Sequence, residues 1–305
     1  MGEKIYDLII IGAGPAGITA SVYAARKYMD FMVITKDVGG QAAWSGAIEN
    51  YTGYQFVTGP DLTQKFKEHM DKFGINLKML EDVKRVEKVG ENIEVETDKG
   101  AYLAKTAIVS SGRDPRKLGV EGEDEFKNRG VTYCATCDAP LFANFDVAVV
   151  GGGNSALDAV LQLTKIANKI YLIYRSKELN ADQIMVDKAK SSGKVLFYER
   201  SQVQKIYGDT LVRGVTVARG DKTEEFAVNG VFIEVGTVPI SDFVKGVNKN
   251  KLGEIIVNCK SETNVEGLYA AGDVTDVPMK QIIVACGEGA KAAISAFEYL
   301  SKKPY

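Results

Sequence analysis

Two cysteines with a carboxylate next to them are the residues of this chain best suited to chemistry. Cys134 and Cys137 are separated by two residues, and Asp138 follows directly. Cysteines at this spacing can close a small disulfide, and such pairing often lowers the pKa of one thiol towards neutrality. The stretch therefore predicts a redox disulfide with a carboxylate beside it.

A zinc site is the alternative for a Cys-x-x-Cys pair. It needs a second pair of ligands at similar spacing. The chain offers only Cys259 and Cys286, which stand far apart, and a single histidine, His69, with no cysteine near it. We therefore expect no metal site. Cys259 and Cys286 are predicted to be small core or strand residues.

The composition of the chain indicates in which cellular compartment it works and which classes of partner it is not expected to bind. The chain has 305 residues, of which 45% are hydrophobic and 26% charged, and its net charge is −2. This length allows two domains, and the charge gives no reason to expect nucleic acid or an anionic membrane as partner. No apolar run approaches the roughly 18 residues of a membrane span. We expect a cytoplasmic protein, because a reducing compartment favours a catalytic over a structural Cys-x-x-Cys.

A glycine-rich turn lies between a strand and a helix near the N-terminus. Residues 5–11 are apolar and predict a buried parallel strand rather than a signal peptide, and residues 18–27 predict a helix. Between them, Gly12, Gly14 and Gly17 form G-x-G-x-x-G. In such a turn the first glycine allows the bend, the second admits a pyrophosphate and the third lets helix pack on strand. The stretch predicts a dinucleotide site; a glycine turn without a ligand is the alternative.

The same arrangement recurs in the second half of the chain. Residues 146–150 predict a strand, Gly151, Gly153 and Ala156 form G-x-G-x-x-A, and a helix is predicted from Leu157. A repeated strand–turn–helix fingerprint indicates two nucleotide-binding units.

Two breaks in the pattern define the predicted domains. Asp114-Pro115 opens a polar stretch after a buried strand, and Pro239 closes a later strand. We predict an α/β fold of two Rossmann-like three-layer domains, the second (residues 114–240) inserted into the first (residues 1–113 and 241–305).

Two dinucleotide sites and a redox disulfide together indicate an electron relay, in which a flavin normally stands between nicotinamide and disulfide. The chain resembles the low-molecular-weight thioredoxin reductases over essentially its whole length. The resemblance rests on IIIGAGPAG, GGQ, EN, CATCD, VVGGGNSA, GVFIEVG and LYAAGDV, in this order.

The resemblance implies that the first domain binds FAD. Gln41 and Asn50 would lie along the flavin, Val83 near the adenine and Asp273 at the ribityl chain. Where the family usually has Arg-Gln-Ala over the isoalloxazine, this chain has Lys280 to Ile282. The full set of implied FAD residues is Gly12, Gly14, Pro15, Ala16, Gly17, Gly40, Gln41, Asn50, Val83, Gly112, Gly272, Asp273, Lys280, Gln281 and Ile282.

The resemblance also assigns roles in the second domain. Cys137 would face the flavin, Cys134 would attack the partner's disulfide, and Asp138 would be the general acid–base. A turn cap is the alternative for Asp138. The residues implied to bind NAD(P)H are Gly151, Gly153, Asn154, Ser155 and Arg175.

The chain departs from the family at the site that selects the donor. Members that prefer NADPH carry His-Arg-Arg after the second domain's strand and a further arginine. This chain has Tyr174-Arg175-Ser176, and then Asn180. Arginine is the side chain best suited to bind a 2′-phosphate, so we expect weaker binding of the 2′-phosphate of NADPH here. However, no acidic residue stands at the end of the strand to bind the 2′-hydroxyl of NADH. NADPH and NADH both stay open.

The predicted function is that of an enzyme, an FAD-dependent thioredoxin-disulfide reductase. It would pass electrons from NADPH or NADH through FAD and the Cys134–Cys137 disulfide to thioredoxin, or to a thioredoxin-like or glutaredoxin-like protein. The resemblance implies a homodimer. Alternatives are the same relay with ferredoxin or a deazaflavin as donor, and a ferredoxin/flavodoxin–NAD(P) reductase-like flavoprotein, a class that lacks the cysteine pair. A non-catalytic redox sensor is the third reading.

Overall fold

The chain forms two compact units in a computed structural model that describes residues 4–44 and 48–302, without the side chains of Trp44, Thr136 and Cys137. The first unit comprises Met1–Asp114 and Val238–Tyr305, and the second comprises Pro115–Thr237. Which unit binds FAD and which binds a nicotinamide stays a prediction.

Strands and helices alternate through most of the chain. In chain order they are β1 (Ile5–Ala13), α1 (Pro15–Arg26), β2 (Phe31–Val38), a 3₁₀ turn (Gly40–Trp44), α2 (Gly59–Lys72), β3 (Leu77–Met79), β4 (Val83–Val89), β5 (Asn92–Thr97), β6 (Ala101–Val109), β7 (Arg113–Pro115), β8 (Val131–Thr132), α3 (Ala135–Asp138), a 3₁₀ turn (Ala139–Phe142), β9 (Asp146–Val150), α4 (Asn154–Leu163), β10 (Lys169–Ile173), α5 (Gln183–Ser191), β11 (Val195–Tyr198), β12 (Ser201–Gly208), β13 (Val212–Arg219), β14 (Lys222–Ala227), β15 (Gly230–Ile233), β16 (Thr237–Pro239), β17 (Leu268–Ala270) and α6 (Ile282–Lys302).

The first unit is built on a sheet in the order β3-β2-β1-β6-β5-β4, with β17 also beside β6. Its central strand β1 pairs in parallel with β2 and β6. Leu8 and Ile10 pack with residues of α1 and α6, whereas Ile9 and Ile11 pack with residues of β4 and β5. Burial on both faces explains why β1 is apolar at nearly every position.

The second unit repeats this plan. Its parallel sheet has the order β11-β10-β9-β15-β8, and β12, β13 and β14 form a separate antiparallel sheet. Val147 and Val149 of β9 pack with α4, whereas Ala148 and Val150 pack with the antiparallel sheet. The predicted α/β class with Rossmann-like units in three layers is confirmed.

Local chemistry explains two differences from the sequence predictions. Helix α1 begins at Pro15, earlier than predicted, because proline has no N–H to satisfy and its fixed φ suits the first helical turn. Cys286 is buried on α6 as predicted, but the prediction for Cys259 is wrong, since this thiol is exposed. It lies in a turn in which Asn258 Oδ1 accepts the N–H groups of Lys260 and Glu262, a local bonding habit of asparagine.

Within residues 4–44 and 48–302, the structure contains no helix with the length and apolar character needed to cross a membrane.

Candidate active site

A cavity of about 370 Å³ lies in the first unit, where β1, β2, β6 and β17 end. Ligands of doubly wound sheets bind at this edge. The predicted FAD residues that line the cavity are Gly12, Gly14, Pro15, Ala16, Gly40, Gln41, Val83, Gly112, Gly272, Asp273, Lys280, Gln281 and Ile282.

The glycines of the first turn serve different purposes. A Cβ on Gly12 would lie 2.5 Å from the carbonyl oxygen of Ser110, and one on Gly17 would lie 1.8 Å from that of Gly12. Packing of the protein itself therefore requires these two glycines. Gly14 lines the cavity, and a Cβ on it would meet no heavy atom within 4 Å. This open space fits the close approach of a pyrophosphate, and the first N–H groups of α1 follow it.

Gln41 and Asn50 relate to the cavity in different ways. Gln41 lines it, and Gln41 Nε2 donates to the backbone oxygen of Arg113. Asn50 is exposed, and Asn50 Nδ2 donates to Gln281 Oε1 at 3.0 Å. Since Gln281 is a lining residue, the structure connects Asn50 to the cavity through that side chain.

Thr35 lies in β2, three residues before the strand ends at Val38. Thr35 Oγ1 accepts the N–H of Ala13 at 3.1 Å and donates to the backbone oxygen of Asp37 at 2.5 Å. The hydroxyl thus holds the turn together. Asp37, Glu81 and Asp82 are acids that line this cavity, and none of the three is among the predicted FAD residues.

The structure shows an ion-pair network at the cavity wall that was not predicted from the sequence. Arg113 Nη1 lies 2.7 Å from Glu254 Oε1, and Lys280 Nζ lies 3.2 Å from the same oxygen. Asn250 Nδ2 donates to Glu254 Oε2 at 2.6 Å. The side chains of Arg113 and Glu254 are only 12% and 9% exposed. Burial raises the pKa of Asp273 nearby, and the charges of Lys280 and Arg113 oppose that rise.

Glu254→Gln is expected to make the fold less sensitive to acid. Burial alone would raise the pKa of Glu254, but hydrogen bonds from Asn250, Arg113 and Lys280 hold it below its ordinary value of 4.5. A pKa depressed by folding contributes stability above the ordinary value, and this contribution is lost as pH falls through the folded-state pKa. Wild type should therefore lose more unfolding free energy than the variant between about pH 5 and pH 3.

Urea unfolding at a series of pH values measures this difference. At pH 7 the variant should be less stable by roughly 3–5 kcal/mol, because two cations lose a buried partner. Glu121→Gln is the matched control, since Glu121 forms an exposed pair with Lys205 that contributes at most about 1 kcal/mol. Equal pH dependence in wild type and Glu254→Gln would contradict the expectation.

The second glycine turn has a similar construction. A Cβ on Gly151 would lie 2.1 Å from the carbonyl oxygen of Glu234, so packing requires this glycine. Gly153 precedes α4, and a Cβ there would have its nearest neighbour, the carbonyl oxygen of Asn180, 3.7 Å away. The segment after β10 is tied to this turn, because the N–H of Asn180 donates to the carbonyl oxygen of Gly152 at 2.7 Å.

The remaining predicted NAD(P)H residues surround this turn. Asn154 Oδ1 accepts the N–H of Asp182 at 2.8 Å, and Ser155 and Arg175 are exposed. The backbone N–H of Arg200 donates to the carbonyl oxygen of Ser176 at 3.1 Å. The structure thus places Arg200, which is not among the predicted residues, next to the segment that carries Arg175.

The cysteine pair lies at the start of α3 in the second unit. Cys134 is disulfide-bonded, whereas Cys259 and Cys286 are free thiols. The side chain of Cys137 lies outside the described part of the chain, so its role stays a prediction. In that described part, no group of three or more His, Cys, Asp and Glu side chains could hold a metal ion.

Thr132 links Cys134 to Asp138. Thr132 Oγ1 accepts the N–H of Cys134 at 3.1 Å and donates to Asp138 Oδ2. Asp138 makes no side-chain capping hydrogen bond to the 3₁₀ turn that follows it, which speaks against the turn-cap alternative. The carboxylate is held beside the disulfide by a hydroxyl instead.

The model of the pyridine nucleotide-disulphide oxidoreductase family matches residues 6–289. The chain belongs to this family. It is 40% identical over 299 residues to an NADH dehydrogenase of Ferdinandcohnia aciditolerans, covering 97% of this chain and 57% of that protein. It is 37% identical over 302 residues to the F component of alkyl hydroperoxide reductase from Staphylococcus aureus, covering 98% and 60%. The chain thus spans less than two thirds of the length of these curated relatives.

One solved structure matches this chain over nearly the full length of both proteins. The thioredoxin reductase of Lactococcus lactis matches with a TM-score of 0.90 and 34% identity, over 98% of this chain and 100% of that one. The predicted resemblance to low-molecular-weight thioredoxin reductases is confirmed. FAD and a nicotinamide dinucleotide, the predicted cofactors, are those of the family.

Proposed function

We propose that this chain is an FAD-dependent disulfide reductase. It takes electrons from NADPH or NADH and passes them through the Cys134 disulfide to thioredoxin or a thioredoxin-like protein. The observation that carries the proposal is the disulfide-bonded Cys134, with Asp138 held beside it, in the same unit as the second glycine turn. A cytoplasmic homodimer, with no nucleic acid or membrane as partner, completes the proposal.

The first unit would hold FAD in its cavity. FAD, when bound, supplies two-electron transfer between a nicotinamide and a disulfide. The turn at Gly12 and Gly14 and the first N–H groups of α1 would bind the pyrophosphate. Arg113 and Lys280, paired with the buried Glu254, bring positive charge to the cavity wall. Such fixed charges orient a polar ligand at little cost, because their partners already restrain them.

In the second unit the chain's own groups carry the thiol chemistry. Reduction of the disulfide breaks one S–S bond, and the two sulfurs take up two electrons and up to two protons. Asp138 is assigned the role of holding and moving a proton at this pair. Cys134, as a thiolate, attacks the disulfide of the partner and forms a mixed disulfide, which the second thiol of the pair then resolves.

A second candidate differs only in the partner. The identity to the F component of alkyl hydroperoxide reductase favours a dithiol protein that hands its electrons to a peroxide-reducing enzyme. Thioredoxin and a peroxidase-linked dithiol protein would both be reduced through Cys134. The two candidate functions are therefore distinguished by measuring which of these two partner proteins the reduced enzyme reduces.

An anaerobic titration of flavin absorbance with NADPH and with NADH tests the proposal. We expect both to reduce the flavin, because Arg175 can bind a 2′-phosphate and no carboxylate at that strand end selects NADH. One charge-assisted hydrogen bond contributes roughly 1.5–3 kcal/mol, so NADPH should bind about 10- to 100-fold more tightly. Arg175→Ala should remove this preference, whereas the control Lys165→Ala, an exposed cation after α4, should not.

Two results would overturn parts of the proposal. If dithiothreitol reduces the flavin and neither nicotinamide does, the donor is another reductant, and ferredoxin or a deazaflavin is tested next. If dithiothreitol also fails while the flavin is bound, no electrons pass between disulfide and flavin, and the relay itself is refuted.

A further inference from the structure

A carboxyl group lies between the cysteine pair and the second glycine turn, in a position that the proposed relay does not use. Glu234 directly follows β15, and its backbone N–H donates to the carbonyl oxygen of Val150 at 2.8 Å. The Glu234 carboxylate accepts a hydrogen bond from the backbone N–H of Ala135. This N–H belongs to the peptide group that joins Cys134 to α3, so the carboxyl group lies one peptide group from the disulfide.

The surroundings of Glu234 disfavour its charge. On α4, Asp158 faces it with like charge. The titratable groups of Cys134 and of α3, which follows it, are Cys134, Cys137 and Asp138. Neither β15 nor the glycine turn carries a charged side chain. Burial first, and then Asp158, raise the pKa of Glu234 to about 8, against the lowering effect of the Ala135 N–H. Glu234 is therefore mostly neutral at pH 7 and becomes charged in mildly alkaline solution.

We propose that Glu234 is a positioning residue that controls the ionisation of the Cys134 thiol across the Cys134–Ala135 peptide group. While Glu234 is neutral, it adds no negative charge beside the Cys134 thiol. Once Glu234 is ionised, its negative charge at that N–H opposes a second negative charge on sulfur. The inference rests on the proposed function, because it assigns Glu234 to the thiol that attacks the partner.

The two groups should therefore titrate as a coupled pair. In the parent protein, the pH profile of Cys134 reactivity should be broad and contain two steps. In Glu234→Gln one step should be lost, and the apparent pKa of the Cys134 thiol should fall by about 1. At pH values below that pKa, the fraction of Cys134 present as thiolate should therefore rise about tenfold. The glutamine Oε1 can still accept the Ala135 N–H, so a merely structural role of Glu234 would leave the profile unchanged.

The rate of alkylation by iodoacetamide between about pH 5 and pH 10, a range that spans both titrations, measures the profile. A Cys137→Ser background leaves Cys134 as the only thiol of the pair, and mass spectrometry of the peptide that carries Cys134 excludes a contribution from Cys259. Asp158→Asn is the second variant. It keeps both titrating groups but removes the like charge on Glu234, so both steps should remain while the step due to Glu234 moves to lower pH.

A Glu234→Gln profile that superimposes on the parent would refute the inference. So would a two-step profile that Asp158→Asn does not move. Neither measurement needs flavin, donor or thioredoxin. A failure here therefore leaves the proposed relay untouched, and a failure of the flavin titration does not affect the coupling of the two groups.

Discussion

Cys134→Ser is expected to abolish thioredoxin reduction while the donor still reduces the flavin. A serine hydroxyl cannot form or exchange a disulfide, so electrons cannot leave through this position. The cavity proposed to hold FAD lies in the first unit, and the second glycine turn is built from Gly151, Gly153 and neighbouring backbone groups, not from Cys134. Flavin binding and hydride transfer from the donor should therefore continue.

Two assays on one preparation separate the half-reactions. Anaerobic bleaching of the flavin by the donor follows the first, and steady-state reduction of thioredoxin follows the second. Cys259→Ser is the matched control, because Cys259 is a free, exposed thiol in a turn, and it should behave as wild type in both. Thioredoxin turnover by Cys134→Ser at the wild-type rate would mean that another thiol makes the exchange, and the role assigned to Cys134 would be wrong.

Contiguous patterns allowed much of the site to be predicted from the sequence. Gly12, Gly14 and Gly17 lie within one turn, and their spacing already specifies a strand before them and a helix after them. The structure adds which of them is required by packing and which leaves space for a ligand. That distinction depends on Ser110, far along the chain, whose carbonyl oxygen limits the space at Gly12.

The parts that were missed depend on contacts between distant segments. Arg113 and Glu254 are 141 positions apart, and neither has a local spacing that identifies the other. The only signal at Arg113 is a cation directly after the small residues that end a buried strand. Glu234 likewise follows an apolar strand as an ordinary acid, and only the fold brings it to the Ala135 N–H and towards Asp158.

Gly14→Ala is expected to abolish tight FAD binding while the apoprotein still folds. Gly14 has φ −77° and ψ −175°, which alanine adopts without strain, and a Cβ there would meet no protein atom within 4 Å. As the residue that precedes α1, alanine should cost the apoprotein about 1 kcal/mol. The methyl group would occupy the space left for the pyrophosphate. Loss of one or two charge-assisted hydrogen bonds, each worth roughly 1.5–3 kcal/mol, should weaken FAD binding by about tenfold to ten-thousandfold.

FAD titration of the apoprotein, with thermal unfolding of the same sample, measures both quantities. Gly17→Ala should show the opposite pattern, an apoprotein that fails to fold, because its Cβ would lie 1.8 Å from a backbone oxygen. Gly287→Ala is the control on α6; the residue is exposed, and a Cβ there would have no neighbour within 4 Å. It should bind FAD normally and gain up to about 1 kcal/mol of stability. If Gly14→Ala binds FAD as wild type does, the pyrophosphate does not lie at this turn. If the Gly14→Ala apoprotein unfolds, packing of the protein rather than a ligand requires Gly14.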